Sequence, residues 1–290
     1  MTGIAIFSLD CEGKWGVADH LHSIDNAAFA DARLREAYRH VNDAFDSVSV
    51  PATFAFVGLF TLERAELNAI PLSDLAQEVP YLREVARSIA ADEEGWVGDW
   101  APEMVGANHE LAFHGATHTP WSMLSREQAS IELDLLGDRV AGGTFVFPRN
   151  EIAYTDLLRE RGVLGYRASR STGSRLRRFS SELNLLTAAD ELDPPRSRPI
   201  EIPAGYFVNW LAGIRRLVPP SVTQARARHI LADAADHGGV AHFWLHPENV
   251  ATAPKTIDNL RAIVREAARL RDAGKLRILT QKDYCIQFSG

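Results

Sequence analysis

Two histidines, His114 and His118, stand four positions apart in Glu110-Leu111-Ala112-Phe113-His114-Gly115-Ala116-Thr117-His118, just after a short apolar run. On a helical turn that spacing puts both rings on one face. A divalent metal held by two such nitrogens needs a third ligand, and a carboxylate at a strand end supplies one while leaving a position open for water. The first strand offers two candidates. Ile4-Ala5-Ile6-Phe7-Ser8-Leu9-Asp10-Cys11-Glu12-Gly13 runs from apolar residues into two acids and a glycine. Strand side chains alternate, so Asp10 and Glu12 share a face while Cys11 turns away into packing. One acid is then placed to bind metal and the other to take a proton.

The elements that must position these groups alternate along the chain. Strand patterns at 4–9, 52–57, 110–113, 144–147, 164–167, 200–202, 239–245 and 276–279 are interleaved with helical patterns at 31–45, 80–91, 155–161, 221–237 and 257–273. A further helix opens at Ser125, an N-cap serine followed by Glu127 and Gln128. This alternation predicts a parallel sheet of about seven β/α units in one α/β domain spanning residues 1–290. The rhythm breaks at about 169–198, where arginines, serines and Asp193-Pro194-Pro195 predict an irregular excursion over one rim.

With 46% hydrophobic and 24% charged residues, the 290-residue chain can bury a large core. A formal net charge of −7 gives no long-range attraction for phosphate backbones or anionic lipid, which excludes nucleic acid as the expected partner. No apolar run approaches the roughly 20 residues that span a bilayer, and the first strand begins at once, with no secretion signal visible. Two cysteines, Cys11 and Cys285, are too few for a disulfide framework, so a reducing cytoplasm is the expected location.

Taken in order, Ser8-Leu9-Asp10-Cys11-Glu12, His114-Gly115-Ala116-Thr117-His118, Phe147-Pro148-Arg149-Asn150 and Leu245-His246-Pro247 resemble the motif series of the polysaccharide deacetylase family, the NodB-type carbohydrate esterases of family 4. The resemblance spans residues 4 to about 283 and is most specific in the His-x-x-x-His and Leu-His-Pro segments. It implies a distorted (β/α)7 barrel. It also implies that Asp10 is the catalytic base, that Glu12, His114 and His118 hold a divalent metal, that His246 is the general acid, and that Arg149 orients and ionises Asp10. The acids here are separated by Cys11, as in a subset of members with an acid-x-acid arrangement. The aspartate and tryptophan that often follow the third motif to tune the acid histidine are missing from Gly165-Tyr166-Arg167-Ala168-Ser169-Arg170, so the partner of His246 is not readable.

The activity implied is removal of an acetyl group from an N-acetylated sugar of a cell-surface polysaccharide or its precursor. His/His/carboxylate ligation suits zinc. The same site on a small cyclic amide or ureide is the second reading, and a carbohydrate-binding protein without turnover is the third. Trp15 and Trp121 follow the motifs most closely and are candidates, with Asn150, to line a substrate cleft. Arg167 to Arg178 reads as a solvated basic loop.

Overall fold

The computed structural model describes residues 2–170, 187–192 and 197–289, so most of the excursion expected at 169–198 lies outside the described residues. The nine strands of the described chain are β1 (Gly3–Cys11), β2 (Thr53–Phe56), β3 (Glu110–Phe113), β4 (Thr144–Phe145), β5 (Gly165–Arg167), β6 (Ile200–Ile202), β7 (Tyr206–Phe207), β8 (Val240–Leu245) and β9 (Leu276–Leu279). They form one parallel sheet in the order β6-β5-β4-β3-β2-β1-β8-β7. β1 is its hub. Ile4–Leu9 pair with Val240–Leu245 on one edge, while the other edge is shared by β9 against residues 3–6 and β2 against residues 8–11. All nine residues of β1 are buried, as a strand covered on both faces requires.

The sheet is curled, not flat. Asp10 on β1 and Arg167 on β5 touch at 2.6 Å, although four ladder spacings of about 4.8 Å would hold them roughly 19 Å apart on a plane. Its two edges, β6 and β7, are joined by residues 203–205. The result is the distorted (β/α)7 barrel. Its principal helices are α1 (Asp31–Asp46), α2 (Arg83–Ala90), α3 (Arg126–Leu136), α4 (Thr155–Glu160), α5 (Pro220–His237), α6 (Glu248–Thr252), α7 (Thr256–Asp272) and α8 (Gln281–Phe288). α3 starts at the expected Ser125, whose hydroxyl and Gln128 form a capping box. β7, α6 and α8 have no counterpart in the sequence reading. The two-residue β7 is too short for a period, but α8 carried a signal in the Thr280/Asp283 capping box.

Parity sorts the strands. Ala5, Phe7, Leu9 and Cys11 pack outward into the main core with α1, where Phe7 meets Phe45 at 5.5 Å. Ile4 and Ile6 point inward with Leu164, Ile200, Ile202, Val240 and Tyr284 to make an apolar barrel floor. At the same end of the barrel Glu110, Thr53 and Thr144, the first residues of β3, β2 and β4, are tied together by hydrogen bonds, and α8 is docked there through the Lys282 amide.

Candidate active site

Continuing up the inward face of β1, the side chains change from Ile4 and Ile6 to Ser8, Asp10 and finally Glu12, just past the strand end. β8 does the same through Val240, His242 and Trp244 to His246. The barrel interior therefore grades from apolar floor to charged mouth. His114 follows the last residue of β3 and Arg167 ends β5, so the chemistry-bearing groups gather at the carboxyl ends of parallel strands, where open α/β folds place their ligand sites.

Glu12, His114 and His118 form one group whose donor atoms lie within 4.8 Å of one another, and Asp10, Glu12 and His246 form a second. His114 Nε2 is 3.1 Å and His118 Nε2 3.0 Å from the same carboxylate oxygen, Glu12 Oε1. The two histidines are not on a helical turn. Gly115 at φ +73° and His118 at φ +60° are left-handed, and the connection is a tight loop that brings the rings to 4.9 Å between centroids. His114 Nδ1 donates to the Val146 carbonyl at 2.8 Å, which fixes the tautomer and leaves Nε2 as a bare donor atom toward Glu12. Both ring nitrogens of His118 are buried without a hydrogen-bond partner. A buried imidazole whose ring nitrogens make no hydrogen bond and whose Nε2 faces the carboxylate, a second with its tautomer set, and the buried carboxylate itself are what a zinc-type donor set looks like, so the residues fit the metal. Glu12 reaches this place because residue 16 is glycine: a Cβ there would lie 1.7 Å from Glu12 Oε2. Burial alone would raise the Glu12 pKa, but His246, His118 and His114 outweigh it and hold the carboxylate well below its usual range. Burial pushes the His118 pKa down, which keeps the ring neutral and able to ligate.

Asp10 is gripped by Arg167, not by Arg149. Arg167 Nη1 donates to Oδ1 at 2.7 Å and Nη2 to Oδ2 at 2.6 Å, a bidentate pair in which both partners are buried. Burial opposes ionisation of Asp10, yet Arg167 and His114 bring its pKa down. Arg149 turns the other way. It sits at φ +58° after β4, and its Nη2 donates to the Gly16 carbonyl at 3.1 Å and Asp19 Oδ1 at 2.6 Å, on the rim of the cleft. The expected orienting role is thus corrected from Arg149 to Arg167. Strand parity was the missed signal: Gly165 and Arg167 share the inward face of β5, whereas the run of arginines that follows drew Arg167 into a loop reading.

Arg167 is itself held from below. His242 Nδ1 lies 2.6 Å from the Pro203 carbonyl, which can only accept, so Nε2 accepts from Ser8 Oγ at 2.8 Å and Ser8 is left to accept from Arg167 Nη1 at 3.2 Å. Burial and then Arg167 push the His242 pKa to about 3, so this ring stays neutral. His246 behaves oppositely. Burial lowers its pKa, but Glu12 at 3.3 Å and Asp10 at 3.9 Å raise it to about 9. Its Nδ1 faces Asn249 Oδ1 at 3.2 Å, which answers the missing-partner question from within its own segment, three residues on.

These groups open onto a cleft of about 700 Å³ lined by Phe29, Arg149, Asn150, Tyr206, Phe207, Trp210 and Trp244 among others. Asn150 is where the sequence placed it and accepts from Arg167 Nη2 at 2.9 Å. Trp15 and Trp121 are not. Both are fully buried, Trp15 donating to the Trp96 carbonyl at 3.0 Å and Trp121 packing on Phe145 and Phe147, because closeness in sequence to a site loop does not direct a ring outward. The partly exposed aromatic edge of the cleft belongs instead to Trp210 and Trp244, the latter stacked 4.5 Å from the Arg167 guanidinium.

No protein-family sequence model and no curated protein matches this chain. Among solved structures it is similar to a "putative polysaccharide deacetylase from Mycobacterium smegmatis", at 16% identity and a TM-score of 0.60, covering 99% of this chain and 90% of that one. It is also similar to the Xyl-CE4 domain of a multidomain xylanase from the hindgut metagenome of Trinervitermes trinervoides, at 12% identity and 0.46, with 99% and 91% covered. A third likeness is to 4-alpha-glucanotransferase from Thermococcus litoralis, at 14% and 0.48, with 99% and 41% covered. The last two fall too low to carry weight. The first establishes that the chain has the polysaccharide deacetylase fold.

Proposed function

We propose that this chain is a metal-dependent hydrolase that removes the acetyl group from an N-acetylated sugar of a cell-surface polysaccharide or its precursor. One observation carries the reading: on a deacetylase barrel, a buried Glu12/His114/His118 donor set lies beside an arginine-bound carboxylate and a third imidazole, His246, all at one cleft. Glu12, His114 and His118 would hold the cation, which we take to be zinc. Bound there, zinc would supply Lewis acidity for activating water and polarising an acetyl carbonyl at neutral pH.

The chain's own residues supply the proton transfers. Asp10, kept ionised by Arg167, takes the proton of the attacking water at Oδ2, the oxygen that faces His114 and His246 at 3.9 Å. His246, within 3.3 Å of Glu12 and 3.9 Å of Asp10 and reachable from the cleft, gives a proton to the departing amine. Water and amide thereby become acetate and amine. Asn150 and Arg167 steady the base, and Trp244 and Trp210 offer ring faces to a sugar. A base held by its arginine, with an imidazole placed beside it at the cleft, favours turnover over the binding-only reading. The location proposed with this function is a reducing cytoplasm, with which two buried, unpaired cysteines agree. Among the described residues no helix is long and apolar enough to cross a membrane.

The test is acetate release from N-acetylglucosamine oligomers, and ring opening of a small cyclic ureide, by zinc-loaded protein. We expect acetate from the oligomers, a loss of about 10²- to 10⁴-fold in Asp10→Ala and in His246→Ala, and no zinc retained in His114→Ala. Release of ureide product alone would move the function to the second reading, and no turnover of either would leave the third.

A further inference from the structure

Two buried glutamates outside the proposed chemistry hold the loops that carry all three candidate ligands. Glu248, in the first turn of α6, accepts at Oε1 the amide of Glu12 at 3.1 Å, the amide of Gly13 at 2.6 Å and the Tyr38 hydroxyl at 2.8 Å. Glu132, on α3, accepts at Oε2 the amides of Ala116 at 2.8 Å and Thr117 at 3.1 Å, and the Thr117 hydroxyl bonds its Oε1. One carboxylate therefore grips the peptide of Glu12 itself, and the other grips the turn between His114 and His118. Each takes two consecutive amide donors, and each is only 5% exposed. A buried acceptor that closes two consecutive backbone N–H groups leaves the loop little freedom, so it is held in place before any ligand arrives.

We infer that Glu132 and Glu248 are positioning residues for the metal centre, clamping Glu12, His114 and His118 into a preassembled donor set. The inference rests on the ligand assignment proposed above. Glu248 does one thing more. It lies two residues beyond His246, so the clamp on the Glu12 peptide also registers the acid's segment against the end of β1, and metal ligand and general acid are set by a single side chain.

Glu110 is the built-in control. It is equally buried at 6% and accepts from Thr53, from the Thr144 amide and hydroxyl and from the Lys282 amide, but at the barrel floor, where it holds no ligand loop. The experiment titrates Zn²⁺ into metal-free protein against a chromophoric chelator and records the melting temperature of each metal-free variant. Glu132→Gln and Glu248→Gln should each weaken zinc binding by about 10- to 100-fold. Glu110→Gln should lower the melting temperature with zinc affinity unchanged. Tyr38→Phe and Thr117→Val each remove one donor from a clamp and keep its carboxylate. They should weaken binding in the same direction by less, and they decide the question if a glutamine variant fails to fold. Variants that melt lower yet bind zinc like the wild type would overturn the clamps while leaving the metal site standing. A wild type that takes up no zinc would overturn both.

Discussion

Glu12 and Glu110 are the same residue type, both buried, at opposite ends of one barrel, and their environments drive them apart. Around Glu110 stand hydroxyls and amides from Thr53, Thr144 and Lys282, and burial prevails, raising its pKa. Around Glu12 stand three imidazoles, and burial is overridden, with the pKa driven well down. A buried acid surrounded by neutral donors is a fastener. Surrounded by imidazoles it is a charge waiting for a cation. The neighbours decide which end of the barrel does chemistry.

The sharpest way to break this contrast is to make the mouth resemble the floor. Arg167→Met leaves Asp10 buried without its cation, and we expect a loss of about 3–5 kcal/mol in denaturant unfolding. Acetate release should fall with it by about 10²- to 10⁴-fold, the range of a lost general base. Unchanged turnover would return the orienting role to another residue. Glu110→Gln should cost about 1–3 kcal/mol for weakened buried hydrogen bonds while kcat/KM stays at the wild-type value.

A pH series on metal-free protein sharpens the contrast in sign. Glu110, with its folded pKa raised above 4.5, contributes stability that is present at acid pH and lost as pH rises through the folded value. Glu12, with its folded pKa lowered, contributes stability that is present above 4.5 and lost as pH falls through the folded value. The Glu110→Gln deficit in unfolding free energy should therefore shrink toward neutral pH and the Glu12→Gln deficit should grow. Parallel curves would refute the comparison. On the alkaline side the His246 contribution, present below 6.5, should fade as pH climbs through about 9. The smallest effect is expected of Arg149→Ala. Its ion pair with Asp19 is partly exposed, and its loss should cost under about 1 kcal/mol, measured by the same unfolding curves.

The strand-end chemistry was legible because period-two alternation is a strong constraint: Asp10, Glu12 and His246 project where parity sends them, and His114 and His118 join them. Parity also predicted the outward turn of Cys11 into the core. Arg167 was hidden by its company, a three-residue strand running straight into an arginine-rich segment. The helical reading of His114 to His118 failed because Gly115 permits a left-handed turn that no spacing rule reveals, and that turn brings the rings together by another path. Trp15 and Trp121 failed for a simpler reason. Large indoles at the edge of a core gain more from burial than a cleft wall offers them, and their direction depends on partners such as Trp96 and Phe147 that lie far away in the chain.

Gly16 carries a consequence for how such a site can change over time. The missing side chain is the seat of the Glu12 carboxylate, so this position and the ligand are one unit. A lineage could exchange many residues of the cleft wall one at a time, but adding even a methyl group here would evict the acid from its place. Any descendant that accepted it would need to bring a ligand in from a different strand.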